Sequence, residues 1–194
     1  MKRLRLGVLG SGKGSNFVAI QKAIADRLLS ASVEVVISDK LGAGILDHAR
    51  AIDIPTFLLR QGKFKTKLEP EIEQELVEKL TEFQVDYVIL AGYMRVVKEP
   101  LLKTFENRII NIHPSLLPKY KGLEAWKQAL EAGETKTGCT VHLVTAGIDE
   151  GAVLGQEETP IFKGDTPEAL HARIQEAEHR LFPKILQQIA ERAG

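Results

Sequence analysis

Residues 85–92, VDYVILAG, constrain the fold of this chain more than any other stretch. Beyond Asp86 the run is apolar on both sides of a two-residue repeat, so as a strand it has no face suited to water. Strands of that kind lie inside parallel sheets whose two faces are both covered by helices. The flanking sequence has the matching rhythm. RLGVLG (5–10), VEVVIS (33–38) and TFLL (56–59) are further short strand runs, alternating with helical patterns over 16–29, 43–52 and 69–83. In the last of these Ile72, Leu76 and Leu80 recur at helical spacing. The alternation predicts an α/β fold with a doubly wound, mostly parallel sheet and right-handed crossovers.

After a strand at 108–113 the rhythm changes. GCTVHLVTAG (138–147) and AVLGQEETPI (152–161) read as an antiparallel strand pair on a short loop. Thr166 then caps a closing helix with Pro167 at its first position. A length of 194 residues suits one domain with a real core, and no repeat or linker interrupts it. The 26 Lys and Arg residues balance 26 Asp and Glu, so no global field draws the chain to nucleic acid or an acidic membrane. Cys139 is the only cysteine, which excludes an intrachain disulfide and a thiolate metal cluster. No run approaches the roughly 20 apolar residues of a membrane span, and the basic start leads into too short an apolar run for a signal sequence. These features predict a soluble, reduced, cytoplasmic protein.

Two stretches carry chemistry. GSGKGSN (10–16) follows a strand and opens a helix, bringing backbone N–H groups and the positive helix end together, as an anion such as phosphate requires. A Walker loop does not fit, because Gly14 stands where Ser or Thr would bind Mg²⁺. The spacing of Gly10, Gly12 and Gly14 also misses the dinucleotide pattern, although Asp39 ends the second strand where a ribose-binding carboxylate could stand. A plain tight turn remains open on spacing alone. The second stretch is IINIHPSLLPKYKG (109–122). Asn111 and His113 project to one face of an apolar strand, at the carboxyl edge where open parallel sheets bind ligands. Asp149, in the AGIDEG loop (146–151), is a carboxylate that would favour the charged imidazolium. The alternatives are a core histidine, a loop-capping Asn and an ordinary turn.

The signatures GSGKGSN, LAGYMRVV, NIHPSLLPKYKG, GCTVHLVTAGIDEG and RIQEAEHRLFP together resemble the folate-dependent phosphoribosylglycinamide formyltransferases, from Leu6 to about Ile189. The resemblance implies one formyltransferase domain over 1–194, with a phosphate-binding half to about 100 and a folate and catalytic half from about 101. It implies transfer of a formyl group from 10-formyltetrahydrofolate to the amine of glycinamide ribonucleotide, in a monomer or homodimer with no metal. Asn111, His113 and Asp149 would be the catalytic set. Gly14, Ser15 and Asn16 would hold the substrate's phosphate, and Gln175 and Glu178 its sugar and glycinamide end. The backbone of Met94, Arg95, Val96 and Val97 would read the pterin, with Leu90, Val96, Val97, Leu101, Ile109 and Val144 lining an apolar slot. Lys67 would meet the folate's glutamate carboxylates, and the Leu117–Pro118 peptide would be cis. Lys121 and Ala152 stand where the family often has Pro, and Lys13 where it tends to a neutral residue. His142 reads as structural or as support for the catalytic set, and Cys139 as a small buried residue.

Three other functions share parts of this pattern. A formyltetrahydrofolate hydrolase would use water in place of the amine, usually with an extra N-terminal domain and without this glycine loop. A methionyl-tRNA formyltransferase would add a C-terminal domain and a basic surface. A third class, a nucleotide-binding oxidoreductase or a non-catalytic binding module on the same sheet, would leave the imperfect glycine spacing and the Asn-x-His and Asp set unexplained.

Overall fold

The computed structural model describes residues 3–193; Met1, Lys2 and Gly194, at the limits of the expected domain, lie outside them. The first half runs β1 (Leu4–Leu9), α1 (Ser15–Ala25), β2 (Ala31–Ser38), α2 (Gly44–Arg50), β3 (Thr56–Leu58), α3 (Pro70–Glu82) and β4 (Tyr87–Leu90). The second runs α4 (Glu99–Thr104), β5 (Ile109–His113), α5 (Ala125–Glu131), β6 (Lys136–Leu143), β7 (Val153–Pro160) and α6 (Pro167–Arg192). All seven strands form one sheet in the order β3-β2-β1-β4-β5-β6-β7. The first five are parallel, while β6 runs antiparallel to β5 and β7 to β6. The mostly parallel α/β sheet expected from the apolar runs is therefore present.

Alternation along the strands divides the core in two. Leu4, Leu6 and Val8 of β1 pack with Phe17 and Ile20 of α1 and with Ile174 and Phe182 of α6. On the opposite face Leu9, Val88 and Leu90 meet Leu76 and Leu80 of α3 and Leu101 of α4. Full burial of one such side chain contributes about 1.5–3 kcal/mol. Those contacts, rather than helix propensity, hold a helix as short as the 6 residues of α4. Among the described residues no helix is long and apolar enough to cross a membrane.

Chain order reverses between β1 and β4, so the loops that follow them diverge and leave a crevice at the carboxyl edge. Two local expectations needed correction. The helix expected over 16–29 ends at Ala25, because Arg27 adopts a left-handed φ of 59° and the Leu28 N–H turns back to the Ala23 carbonyl. Both α4 and α5 went unread, since 6 and 7 residues are too few for apolar periodicity to declare a helix.

Candidate active site

Ile110 and Ile112 of β5 enter the α1/α6 core, which sends Asn111 and His113 to the opposite face at the strand's exposed end. Pro114 ends the strand, and the loop beyond it is tied down by Thr140. That hydroxyl donates to the Ser115 carbonyl at 2.6 Å and accepts the Leu117 N–H at 3.0 Å. The Leu117–Pro118 peptide is cis, as the resemblance implied. Tyr120, at a φ of 54°, turns its carbonyl to accept from His113 Nε2 at 2.8 Å. His113 Nδ1 faces Asp149 Oδ2 at 3.4 Å. Asp149 itself sits at a φ of 53° and accepts the Gly122 N–H at 2.8 Å, so one loop anchors the carboxylate and another the ring. At 3.4 Å the His–Asp contact is long for a hydrogen bond. It gains strength as an ion pair when the ring carries two protons, and catalytic bonds commonly tighten only around substrate.

His142 explains the orientation of Asn111. The antiparallel register of β6 on β5 sets His142 opposite Asn111 and Thr140 opposite His113. His142 Nδ1 donates to the Leu143 carbonyl at 2.9 Å, which leaves Nε2 to accept from Asn111 Nδ2 at 3.1 Å. Burial lowers the basicity of His142, outweighing the opposing pull of the Leu143 carbonyl and Asp149, and keeps the ring neutral. One amide hydrogen of Asn111 is thus fixed on His142 and the other is free for a ligand.

The glycine loop delivers the other end of the site. Gly14 caps α1 at a φ of 83° with no side-chain cap, so the first-turn N–H groups are left for a ligand. Asn16 Nδ2 donates to Glu178 Oε2 at 2.8 Å, whereas Asn16 Oδ1 is buried without a partner among the described residues. Gln175 lies three residues before Glu178 on the same helical face. A cavity of about 860 Å³ wraps around the sheet's carboxyl edge and joins all of these groups. Gly14, Ser15, Asn16, Gln175 and Glu178 line one part of it and Asn111, His113 and Asp149 another. Leu90, Met94, Arg95, Val96, Val97 and Val144 line a further part.

Some residues stand elsewhere than expected or were missed. Leu101 and Ile109 are buried behind the wall, in the α3/α4 core, and do not line the cavity. Lys67 also stays outside it; its ammonium lies 4.5 Å from the Phe64 ring centroid, and its backbone bridges to Val96. Asp39 bonds Ser11 and Arg95 rather than standing open for a ribose. A stacked pair, Trp126 and His171, with centroids 3.8 Å apart and planes at 3°, lines the cavity without any warning in the sequence. Cys139 is buried, and burial pushes its thiol up to about 12, which removes it as a nucleophile.

Burial pushes the Glu178 carboxyl up to about 7, against the opposing pull of the Asn16 amide. The folded state therefore binds this proton more tightly than the unfolded chain does. The stability it contributes is complete below about pH 4.5, the unfolded value, and is lost as pH rises through 7. Glu178→Gln is expected to flatten that slope, leaving the variant more stable than the parent at pH 8 by on the order of a few kcal/mol. Denaturant midpoints between pH 4.5 and 8 give the comparison, and parallel slopes in the two proteins would refute the burial argument.

Residues 4–186 match the family model described as formyl transferase. The chain is 42% identical over 189 residues to the human trifunctional purine biosynthetic protein adenosine-3, covering 97% of this chain and 18% of that protein. It thus spans less than a fifth of the length of that relative, and 14% of the one from Drosophila pseudoobscura, which is 44% identical over 193 residues. The solved glycinamide ribonucleotide transformylase 1 of Symbiobacterium toebii superposes with a TM-score of 0.92 at 44% identity, covering 97% of this chain and 88% of that one. A formyltetrahydrofolate deformylase from Pseudomonas syringae shares the fold alone, at 22% identity and a TM-score of 0.90, over 98% of this chain and 62% of that one.

Proposed function

The chain belongs to the formyl transferase family, and on that premise we propose that it transfers the formyl group of 10-formyltetrahydrofolate to the amine of glycinamide ribonucleotide. The observation that carries the reading is the continuous cavity, with an anion-ready helix end and a strand-end Asn, His and Asp set in its wall. The product would be N-formylglycinamide ribonucleotide, a purine precursor, with tetrahydrofolate released. Both solved and sequence relatives with purine-related names support that choice over hydrolysis. The reading calls for no metal, nucleic acid or membrane, and it assigns the protein to the cytoplasm.

Each end of the cavity fits its ligand in chemistry. The uncapped first turn of α1, with Gly14, Ser15 and Asn16, presents N–H donors and a positive dipole to the ribonucleotide phosphate. The unpartnered Asn16 Oδ1 accepts from a substrate hydroxyl or amine, and Gln175 and Glu178 complete the polar wall for the sugar and glycinamide. At the other end the N–H groups of Met94 and Val96 are taken by Ser11 Oγ and the Thr66 carbonyl, at 3.0 and 2.8 Å. Arg95 and Val97 also line the cavity there, and their own backbone groups are left to meet the pterin edge. Leu90, Val97 and Val144 supply an apolar slot beside them.

When bound, the folate supplies a formyl carbon carried on nitrogen, with an oxygen that gains negative charge on attack by the amine. Asn111 meets that charge with its free amide hydrogen, held in place because His142 takes the other. Removing one such donor typically costs about 10²–10³ in turnover. His113 shares the charge and protonates the departing nitrogen, exchanging the Tyr120 carbonyl for substrate as it does so. Asp149 balances the imidazolium and takes up the proton shed by the amine. The test is loss of the formyl group followed with and without glycinamide ribonucleotide. Loss that depends on the ribonucleotide is expected; equal loss in its absence would make the protein a hydrolase.

A further inference from the structure

Asp39, at the end of β2, is 3% exposed and does not line the cavity, yet both its oxygens are bonded to groups that shape the cavity wall. Oδ1 accepts from Ser11 Oγ at 2.5 Å, and Ser11 Oγ in turn accepts the Met94 N–H at 3.0 Å. Oδ2 accepts from Arg95 Nε at 2.6 Å, in an ion pair whose side chains are 2% and 11% exposed. The Asp39 carbonyl takes the Gln61 amide at 3.0 Å, and the Arg95 guanidinium also donates to the Phe64 carbonyl. One carboxylate therefore fixes two consecutive residues, Met94 and Arg95, from behind. The Thr66 carbonyl pins the third, Val96.

We propose that Asp39 is a positioning residue for the folate end of the site, setting the backbone of residues 94–97 through Ser11 and Arg95. The proposal rests on reading that backbone as the edge that recognises the pterin. It follows from where the pins stand. Ser11, Asp39 and Thr66 do not line the cavity whereas residues 94–97 do, so the pinned segment is presented to a ligand in a conformation already chosen. A ligand that must first straighten a loose segment binds more weakly by the fraction of time the segment spends elsewhere. Charge-assisted contacts of this length, out of water, are the strongest pins a short loop can have. The ribonucleotide end takes none of these bonds: its donors are the first turn of α1, which starts at Ser15, four residues beyond Ser11, and the face of α6.

Calorimetric titration of tetrahydrofolate and, separately, of glycinamide ribonucleotide into the parent and Asp39→Asn tests this. The Asn side chain keeps the shape and loses the charge that holds Arg95. The expected result is a tetrahydrofolate Kd raised about tenfold with the ribonucleotide Kd within about twofold. In turnover the folate KM rises by a similar factor, while kcat stays within about threefold. Ser11→Ala cuts only the Met94 pin and is expected to weaken tetrahydrofolate alone. Combined with Asp39→Asn it adds less than its separate effect, because both act on one contact chain. A folded Asp39→Asn that binds tetrahydrofolate as the parent does overturns the proposal, as does equal weakening of both ligands. Should Asp39→Asn fail to fold, Ser11→Ala decides by the same criterion. A parent protein that binds no tetrahydrofolate overturns the folate reading itself, and the proposal with it.

Discussion

Asp149→Asn lowers turnover by about 10²–10⁴ while the protein stays folded and the KM for ribonucleotide changes by no more than a few-fold. The substitution is close to isosteric. Asn tolerates the left-handed φ of 53° that residue 149 adopts, and its carbonyl can still accept the Gly122 N–H that Asp149 holds at 2.8 Å. What disappears is the negative charge 3.4 Å from His113 Nδ1. Without it the buried ring, 5% exposed, has no counter-charge for the doubly protonated form, and the amine has lost its proton acceptor. The loss therefore falls on kcat rather than on binding. Steady-state kinetics with a thermal melt check both halves, and a variant retaining more than about a tenth of parental turnover would remove Asp149 from the chemistry.

Gly14→Ala is the second large effect, and it falls on binding. Gly14 sits at a φ of 83°, where an L side chain is strained by roughly 1–2 kcal/mol. A Cβ there would stand 2.7 Å from Ile45 Cβ and 2.8 Å from Ile45 Cα, and the second of these is backbone that cannot swing aside. The loop must move, and with it the first-turn N–H groups of α1. Hydrogen bonds to a charged group are worth about 1.5–3 kcal/mol each, so losing one or two weakens ribonucleotide binding by about 10–10⁴-fold. Tetrahydrofolate binding, at the other end of the cavity, should change little. Paired titrations read this directly; an unchanged ribonucleotide Kd would detach the glycine loop from the phosphate.

Much of the site was legible because local chemistry dictates it. An amide and an imidazole two residues apart on an otherwise apolar strand have one shared face, and Pro114 fixes the exit. The parallel sheet was legible from VDYVILAG for the same reason, although β4 itself is shorter, Tyr87–Leu90. What escaped depends on partners distant in sequence. His142 could not be matched to Asn111 without knowing that β6 runs antiparallel beside β5. Trp126 was invisible because α5 is a 7-residue helix, and its stacking partner His171 lies on another. Asp39 had the right position for a ribose contact, but Arg95, 56 residues further on, occupies it. Lys67 was read from the resemblance, across a loop whose course the sequence does not dictate, and its ammonium rests on Phe64 outside the cavity.

The most direct test of the account follows the formyl group itself. The protein is incubated with 10-formyltetrahydrofolate labelled in the formyl carbon, in the presence of glycinamide ribonucleotide, and the products are identified by mass. The account predicts label on the ribonucleotide amine, one for each tetrahydrofolate released, and none as free formate. Label appearing as formate at the same rate whether or not the ribonucleotide is present would contradict it.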